Sequence, residues 1–174
     1  MRKISWIGVV LLGMLQSVSA ATDNVHFSGT LVAEPCTLPD IDSDITLNFG
    51  SVIDKYLYQY QRTKNQRFVI HLQDCDASIF KTVNVTFSGT PDTELTNLLA
   101  VDTQSAARGI AIGLEMDDGT PLPINKASSD TQLKNGNNEL HFNSYVQIQP
   151  SALSAKSLTE GDFMATSTFV LSYQ

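Results

Sequence analysis

Asp162-Phe163-Met164-Ala165-Thr166-Ser167-Thr168-Phe169-Val170-Leu171-Ser172-Tyr173 is the stretch on which the fold turns. Phe163, Ala165, Ser167, Phe169, Leu171 and Tyr173 share one face, and Met164, Thr166, Thr168, Val170 and Ser172 share the other. A period of two is the mark of a β-strand whose faces meet different surroundings. This is the strongest strand signal in the 174-residue chain, and it stops one residue before Gln174. A terminal strand this apolar needs neighbours on both sides, or it becomes a sticky sheet edge. Nothing in the sequence follows it to cover that edge.

The same period runs backwards through the chain. Ile110, Ile112, Leu114 and Met116 lie on one face of a run, and Leu140, Phe142 and the residues to Ile148 make a less regular one. Val83, Val85 and Phe87 alternate with Thr82, Asn84 and Thr86, while Phe68, Ile70 and Leu72 alternate with Arg67, Val69, His71 and Gln73. Turn-forming clusters separate these runs: Ser88-Gly89-Thr90-Pro91-Asp92, Asp117-Asp118-Gly119-Thr120-Pro121 and Asn135-Gly136-Asn137-Asn138. Only Ser151 to Ser157 reads as a short helix. Short alternating strands between polar turns specify a single all-β domain, an antiparallel sandwich or barrel. The core-strand count comes to about six, where an immunoglobulin-like sandwich has about seven.

Composition excludes several functions. With 18 acidic and 11 basic side chains the formal charge is −7, which argues against nucleic-acid binding. Arg2 and Lys3, the apolar run Ile4–Leu15 and the small residues Ser17-Val18-Ser19-Ala20 form a secretory signal over residues 1–20. The apolar run is too short to span a hydrocarbon core about 30 Å thick. Removing 20 of 174 residues leaves 154, and losing Arg2 and Lys3 moves the charge from −7 to −9. Export gives Cys36 and Cys75 an oxidising compartment, where a structural disulfide is the simplest reading; neither CxxC spacing nor a His-rich neighbour favours a redox pair or a metal site.

Catalytic motifs are lacking. HExxH, GxSxG, a P-loop and GxGxxG are all missing from the sequence. His26, His71 and His141 are isolated and read as solvated side chains. Asp40-Ile41-Asp42-Ser43-Asp44 starts like a calcium loop, but Ile45 and Ser51 stand where an EF-hand needs Gly and Glu, so it reads as a solvated acidic turn. Asn84-Val85-Thr86 fits a glycosylation sequon inside an expected strand. No catalytic group, metal, cofactor or small-molecule substrate is expected.

The segment from Ala21 to Ala33 is the other oddity. Val25, Phe27, Gly29 and Leu31 fall on one face, opposite His26, Ser28 and Thr30, ahead of the first cysteine. An ordinary first strand with a glycine bulge accounts for the pattern, and so does a strand made for close approach to another backbone. One end of the chain resembles a spare strand, the other a place lacking one.

Val25-His26-Phe27-Ser28-Gly29 leading to Cys36, the Phe68–Cys75 run, Gly109-Ile110-Ala111-Ile112-Gly113-Leu114 and, above all, Gly161–Thr166 with Phe169, Leu171 and Tyr173 resemble the chaperone–usher pilus subunits of the type 1 and P pilus superfamily. The resemblance spans the mature chain and is greatest to small adaptor-type minor subunits. It implies an incomplete immunoglobulin-like sandwich of six core strands with the seventh missing, over residues 34–174, preceded by an N-terminal donor-strand extension over residues 21–33. It implies a periplasmic chaperone, an outer-membrane usher and neighbouring subunits as partners, and a surface pilus as the destination. Val25, Phe27, Gly29 and Leu31 would be the donated face, with Gly29 where a side chain would clash with the recipient. Cys36 and Cys75 match the family disulfide. Phe163, Ala165, Phe169, Leu171 and Tyr173 would form the groove-edge strand that the chaperone pairs with, and the Gln174 carboxylate would meet a basic anchor. Adhesins of this family carry an additional lectin domain, for which 154 residues leave no space.

Overall fold

The computed structural model describes residues 34–174, which fall within the second of two units, Met1–Val32 and Ala33–Gln174. The expected signal and donor segments lie outside the described residues. Seven strands form two antiparallel sheets: β1 (Gln66–Cys75), β2 (Thr82–Ser88), β3 (Leu99–Ala100), β4 (Ile110–Met116), β5 (Thr131–Gln132), β6 (Gly136–Ile148) and β7 (Thr168–Tyr173). One sheet has the order β1-β6-β4-β3 and the other β5-β2-β7. Two short helices, α1 (Asp54–Tyr60) and α2 (Pro150–Ala155), complete the regular structure with a 3₁₀ turn at Asp40–Asp42. Pro150 opens α2, where its missing N–H costs nothing, and Lys156 closes it in a left-handed conformation.

The alternation read along the chain becomes the interior. Phe68, Ile70 and Leu72 of β1, Val83, Val85 and Phe87 of β2, and Phe142, Val146 and Ile148 of β6 are buried. Three rings join the sheets: Phe142 lies 5.4 Å from Phe68 within one sheet and 5.2 Å from Phe87 of the other, while Phe68 and Phe87 are 6.0 Å apart. Edge-to-face contacts such as Phe87–Phe142 add to area burial because ring edges and faces carry opposite partial charge. Cys36 and Cys75 form a buried disulfide, next to a two-bond backbone pairing of Thr37 with Gln73.

The outer face of the larger sheet carries a feature absent from the sequence reading. Tyr145 of β6 lies flat across Gly113 of β4, so close that a Cβ on Gly113 would sit 2.1 Å from the Tyr145 ring. Gln61–Thr63 runs beside Val146–Ile148, and this brings the Arg62 guanidinium to 3.5 Å above the Tyr145 ring. Arg62 then grips Glu115 through two nitrogens, at 2.6 and 3.1 Å, and Asn65 Nδ2 donates to the same carboxylate at 3.0 Å.

Four local expectations change. The last strand is paired only from Thr168, because its partner β2 ends at Ser88 opposite that residue. Before it, residues 162–166 lie against the 102–106 loop instead, with Asp102 N–H donating to Met164 O (2.7 Å) and Ala106 N–H to Asp162 O (2.8 Å). The acidic turn is not wholly solvated: Asp42 is buried and accepts bonds from His71. His71 is therefore a bonded residue, and His141 lies 3.3 Å from Glu139 rather than alone. The sequon asparagine, Asn84, is buried and donates to Asp130 at 3.0 Å, so it presents no acceptor nitrogen at the surface.

Candidate functional site: an open strand edge over an apolar floor

β2 has neighbours on both sides, and its inward side chains Val83, Val85 and Phe87 are 1–4% exposed. β7 has β2 on one side only, and its inward side chains Phe169, Leu171 and Tyr173 are half-buried although they point into the same core. Phe163 and Ala165, upstream on the same face, are half-buried too. The difference between the two strands is the shielding that a further neighbour would provide.

The backbone tells the same story. Gln174 and Thr82 exchange two bonds of 2.9 Å, Thr82 N–H to Gln174 O and Gln174 N–H to Thr82 O. In an antiparallel ladder, bonded and non-bonded pairs alternate. Ser172, Val170 and Thr168 therefore direct their N–H and C=O groups to β2, while Tyr173, Leu171 and Phe169 direct theirs to the free edge. No strand pairs with that edge among the described residues.

The opposite wall was missed in the sequence. Residues 44–50 form an extended arm in which Ile45, Leu47 and Phe49 are half-buried against the core and Asp44, Thr46 and Asn48 are exposed. Among the described residues no backbone hydrogen bond reaches Ile45 through Phe49. The Phe49 ring stands 6.2 Å from Phe163, which sets the arm's far end against the start of the last strand's apolar face. The period-two signal was present over Ile45-Thr46-Leu47-Asn48-Phe49, but only three apolar residues carry it. Two backbone edges unpaired among the described residues and a row of half-covered apolar side chains make an acceptor for one extended strand.

Each expected groove residue can be located. Phe163, Ala165, Phe169, Leu171 and Tyr173 share the apolar row. Tyr173 also packs 6.4 Å from Phe80, and burial pushes its phenol above the ordinary range, with the charge of Glu34 adding to the effect. The main-chain oxygen of Gln174 is taken by the N–H groups of Lys81 (2.8 Å) and Thr82 (2.9 Å), so this residue is anchored on its own sheet. Val25, Phe27, Gly29 and Leu31 lie outside the described residues. A cavity of about 680 Å³ opens between the Leu99–Ala106 loop and Asp162–Thr166, beside the upstream end of the row. Among the described residues no group of three His, Cys, Asp or Glu side chains could hold a metal ion.

The model of the family described as "Fimbrial protein" matches residues 25–174. The chain belongs to the fimbrial protein family. This pilin is 34% identical over 167 residues to the uncharacterized fimbrial-like protein YfcP of Escherichia coli K12, covering 94% of this chain and 90% of that one. It is 33% identical over 172 residues to the fimbrial adapter PapK of Escherichia coli, covering 95% and 96%. Its fold matches that of the P pilus rod subunit PapA with a TM-score of 0.70 at 24% identity, over 81% of this chain and 100% of that one. A chain from a chaperone–usher pilus rod structure matches with a TM-score of 0.71 at 25% identity, over 92% and 100%. The pilin thus has the immunoglobulin-like fold of chaperone–usher pilus subunits, a structural family, and is a component of a surface fimbrium reached by export through the periplasm. It associates with other pilus subunits.

Proposed function

We propose that this pilin is an adaptor-like minor subunit, without catalytic activity, that both accepts and donates a strand. In this reading residues 1–20 are removed on export, residues 34–174 form the acceptor domain, and residues 21–33 are the donor. A periplasmic chaperone lends a strand to the open edge of β7. At the outer-membrane usher the N-terminal extension of the next subunit replaces it. Val25, Phe27 and Leu31 fill the neighbour's groove, while Gly29 lets the two backbones approach. The observation that carries this reading is the half-buried row Phe163, Ala165, Phe169, Leu171 and Tyr173 beside a backbone edge unpaired among the described residues.

The energetics suit it. Burying Val25, Phe27 and Leu31 at about 1.5–3 kcal/mol each contributes roughly 4–9 kcal/mol. That is comparable with the whole stability of a domain, about 5–15 kcal/mol, so the donated strand decides whether the acceptor holds together. The likeness to PapK favours an adaptor position, and the likeness to the chain of the chaperone–usher pilus rod supports a shaft position as the second reading. Immunogold counts separate them, since an adaptor appears once per fibre and a shaft subunit along its length.

The central test is a thermal melt of residues 34–174, bare and with a donor strand fused after Gln174. Complementation raises the melting temperature by roughly 10 °C or more. A bare domain that is already stable and indifferent to every strand offered overturns the reading.

A further inference from the structure

The arm that walls the groove has few attachments. It leaves the edge of β1 after the Thr37–Gln73 pair, makes the Asp40–Asp42 turn, and then runs from Asp44 to Phe49 with no backbone bond among the described residues. What stands at the branch point is Asp42. Its side chain is 6% exposed, and Oδ2 accepts the backbone N–H of His71 at 2.7 Å and lies 2.8 Å from His71 Nδ1. The Gln73 N–H and C=O both face Thr37 at the free edge of β1. By the alternation of the ladder the His71 N–H faces that edge as well. A side-chain oxygen thus takes the position that a neighbouring strand's carbonyl would occupy, and the arm is released from β1 at that point.

We propose that Asp42 and His71 are a positioning pair that holds the arm wall of the groove, so that they set how long an accepted strand is retained. This rests on the strand-accepting reading above. The pair touches no incoming strand itself; it acts through Ile45, Leu47 and Phe49, whose path begins three residues after Asp42. Two donor groups of His71 on one buried carboxylate oxygen fix both the turn's distance from β1 and its rotation, since the backbone N–H sets the first and the imidazole the second. Loss of either lets the wall swing away from Phe163 while the core strands stay paired.

The experiment uses the full mature chain loaded with a fluorescent synthetic donor-strand peptide, the one it takes up from a set taken from the N-terminal extensions of several pilus subunits, and follows peptide release against unlabelled competitor. Asp42→Ala speeds release by about tenfold, the scale expected for losing hydrogen bonds to a charged group. Asp42→Asn, which keeps an oxygen for the His71 N–H, recovers most of the retention, and His71→Ala falls between the two. Hydrogen exchange on the loaded protein rises at the amides of Ile45–Phe49 in Asp42→Ala and is unchanged at Ile70 and Val146. Release at the wild-type rate in Asp42→Ala overturns the inference, and so does exchange that rises equally in arm and core. If the unsubstituted protein takes up none of these peptides and is indifferent to a fused strand, it is the strand-accepting reading that fails instead.

Discussion

Glu115 shows how a single residue on the outer sheet face ties local chemistry to stability. The Arg62 guanidinium holds its carboxyl below the usual carboxylate range through their hydrogen bonds, against the opposing effect of burial, and Asn65 adds a further donor. A carboxyl depressed in the folded state contributes stability that is present above its unfolded pKa and is lost as pH falls through the folded value. Arg62→Met therefore destabilises the strand-loaded protein by about 1–3 kcal/mol at pH 7, a range reduced for the partial exposure of Arg62. The deficit relative to the unsubstituted protein shrinks as pH falls below the ordinary carboxylate range and through the lower folded value of Glu115, which denaturant melts at several acidic pH values would measure. A deficit independent of pH would assign the loss to Arg62 packing over Tyr145 instead. None of this was visible in the sequence, because Arg62 and Glu115 are 53 positions apart and each reads there as an ordinary surface charge. Asp42 was hidden for the opposite reason: its acidic neighbours Asp40 and Asp44 made the turn read as solvated, and its partner His71 lies 29 residues away.

At the scale of the element, β7 was legible because its alternation is long and its two faces differ strongly. What the alternation could not give was the partner: regular pairing stops at Thr168 because β2 ends there, and the upstream half finds the 102–106 loop instead. The 45–50 arm was illegible because three apolar residues after an acidic turn carry too little period, and α1 because seven residues with four aromatic or apolar positions fit no clean helical stripe. The groove yields a paired test. Leu171 is inward and half-buried, whereas Val170 is outward and 49% exposed. Leu171→Asp abolishes co-purification with a strand-donating chaperone, and Val170→Asp leaves it within about twofold, since one change puts charge into an apolar floor and the other into water. Equal loss in both would contradict the assigned faces of the strand.

The described domain is a sandwich joined by the Phe68–Phe87–Phe142 ring cluster and the Cys36–Cys75 cross-link, with the outer edge of β7 unpaired among the described residues. The disulfide joins residues 39 apart, and the chain-entropy relation gives it about 4 kcal/mol. Cys36→Ser paired with Cys75→Ser lowers the yield of soluble subunit and the melting temperature of the strand-loaded form, read by periplasmic fractionation and a thermal melt. An unchanged melting temperature would mean that the cross-link contributes nothing to the filled fold. The head-to-tail donation proposed above would be a heterologous contact that does not close, which extends subunits into a fibre rather than a ring.

Mechanical load gives the disulfide a second meaning. A pull on the chain entering at Glu34 reaches Cys36 two residues later and passes covalently into Cys75 at the end of β1. There the β1–β6 ladder from Gln66 to Leu72 carries it as many bonds stressed together. With the sulfurs reduced, the same tension would unzip Thr37 from Gln73 and arrive next at the Asp42 carboxylate, peeling the groove wall one contact at a time. The cross-link is in this sense a strain relief, routing force around the part of the subunit that has the fewest bonds with which to resist it.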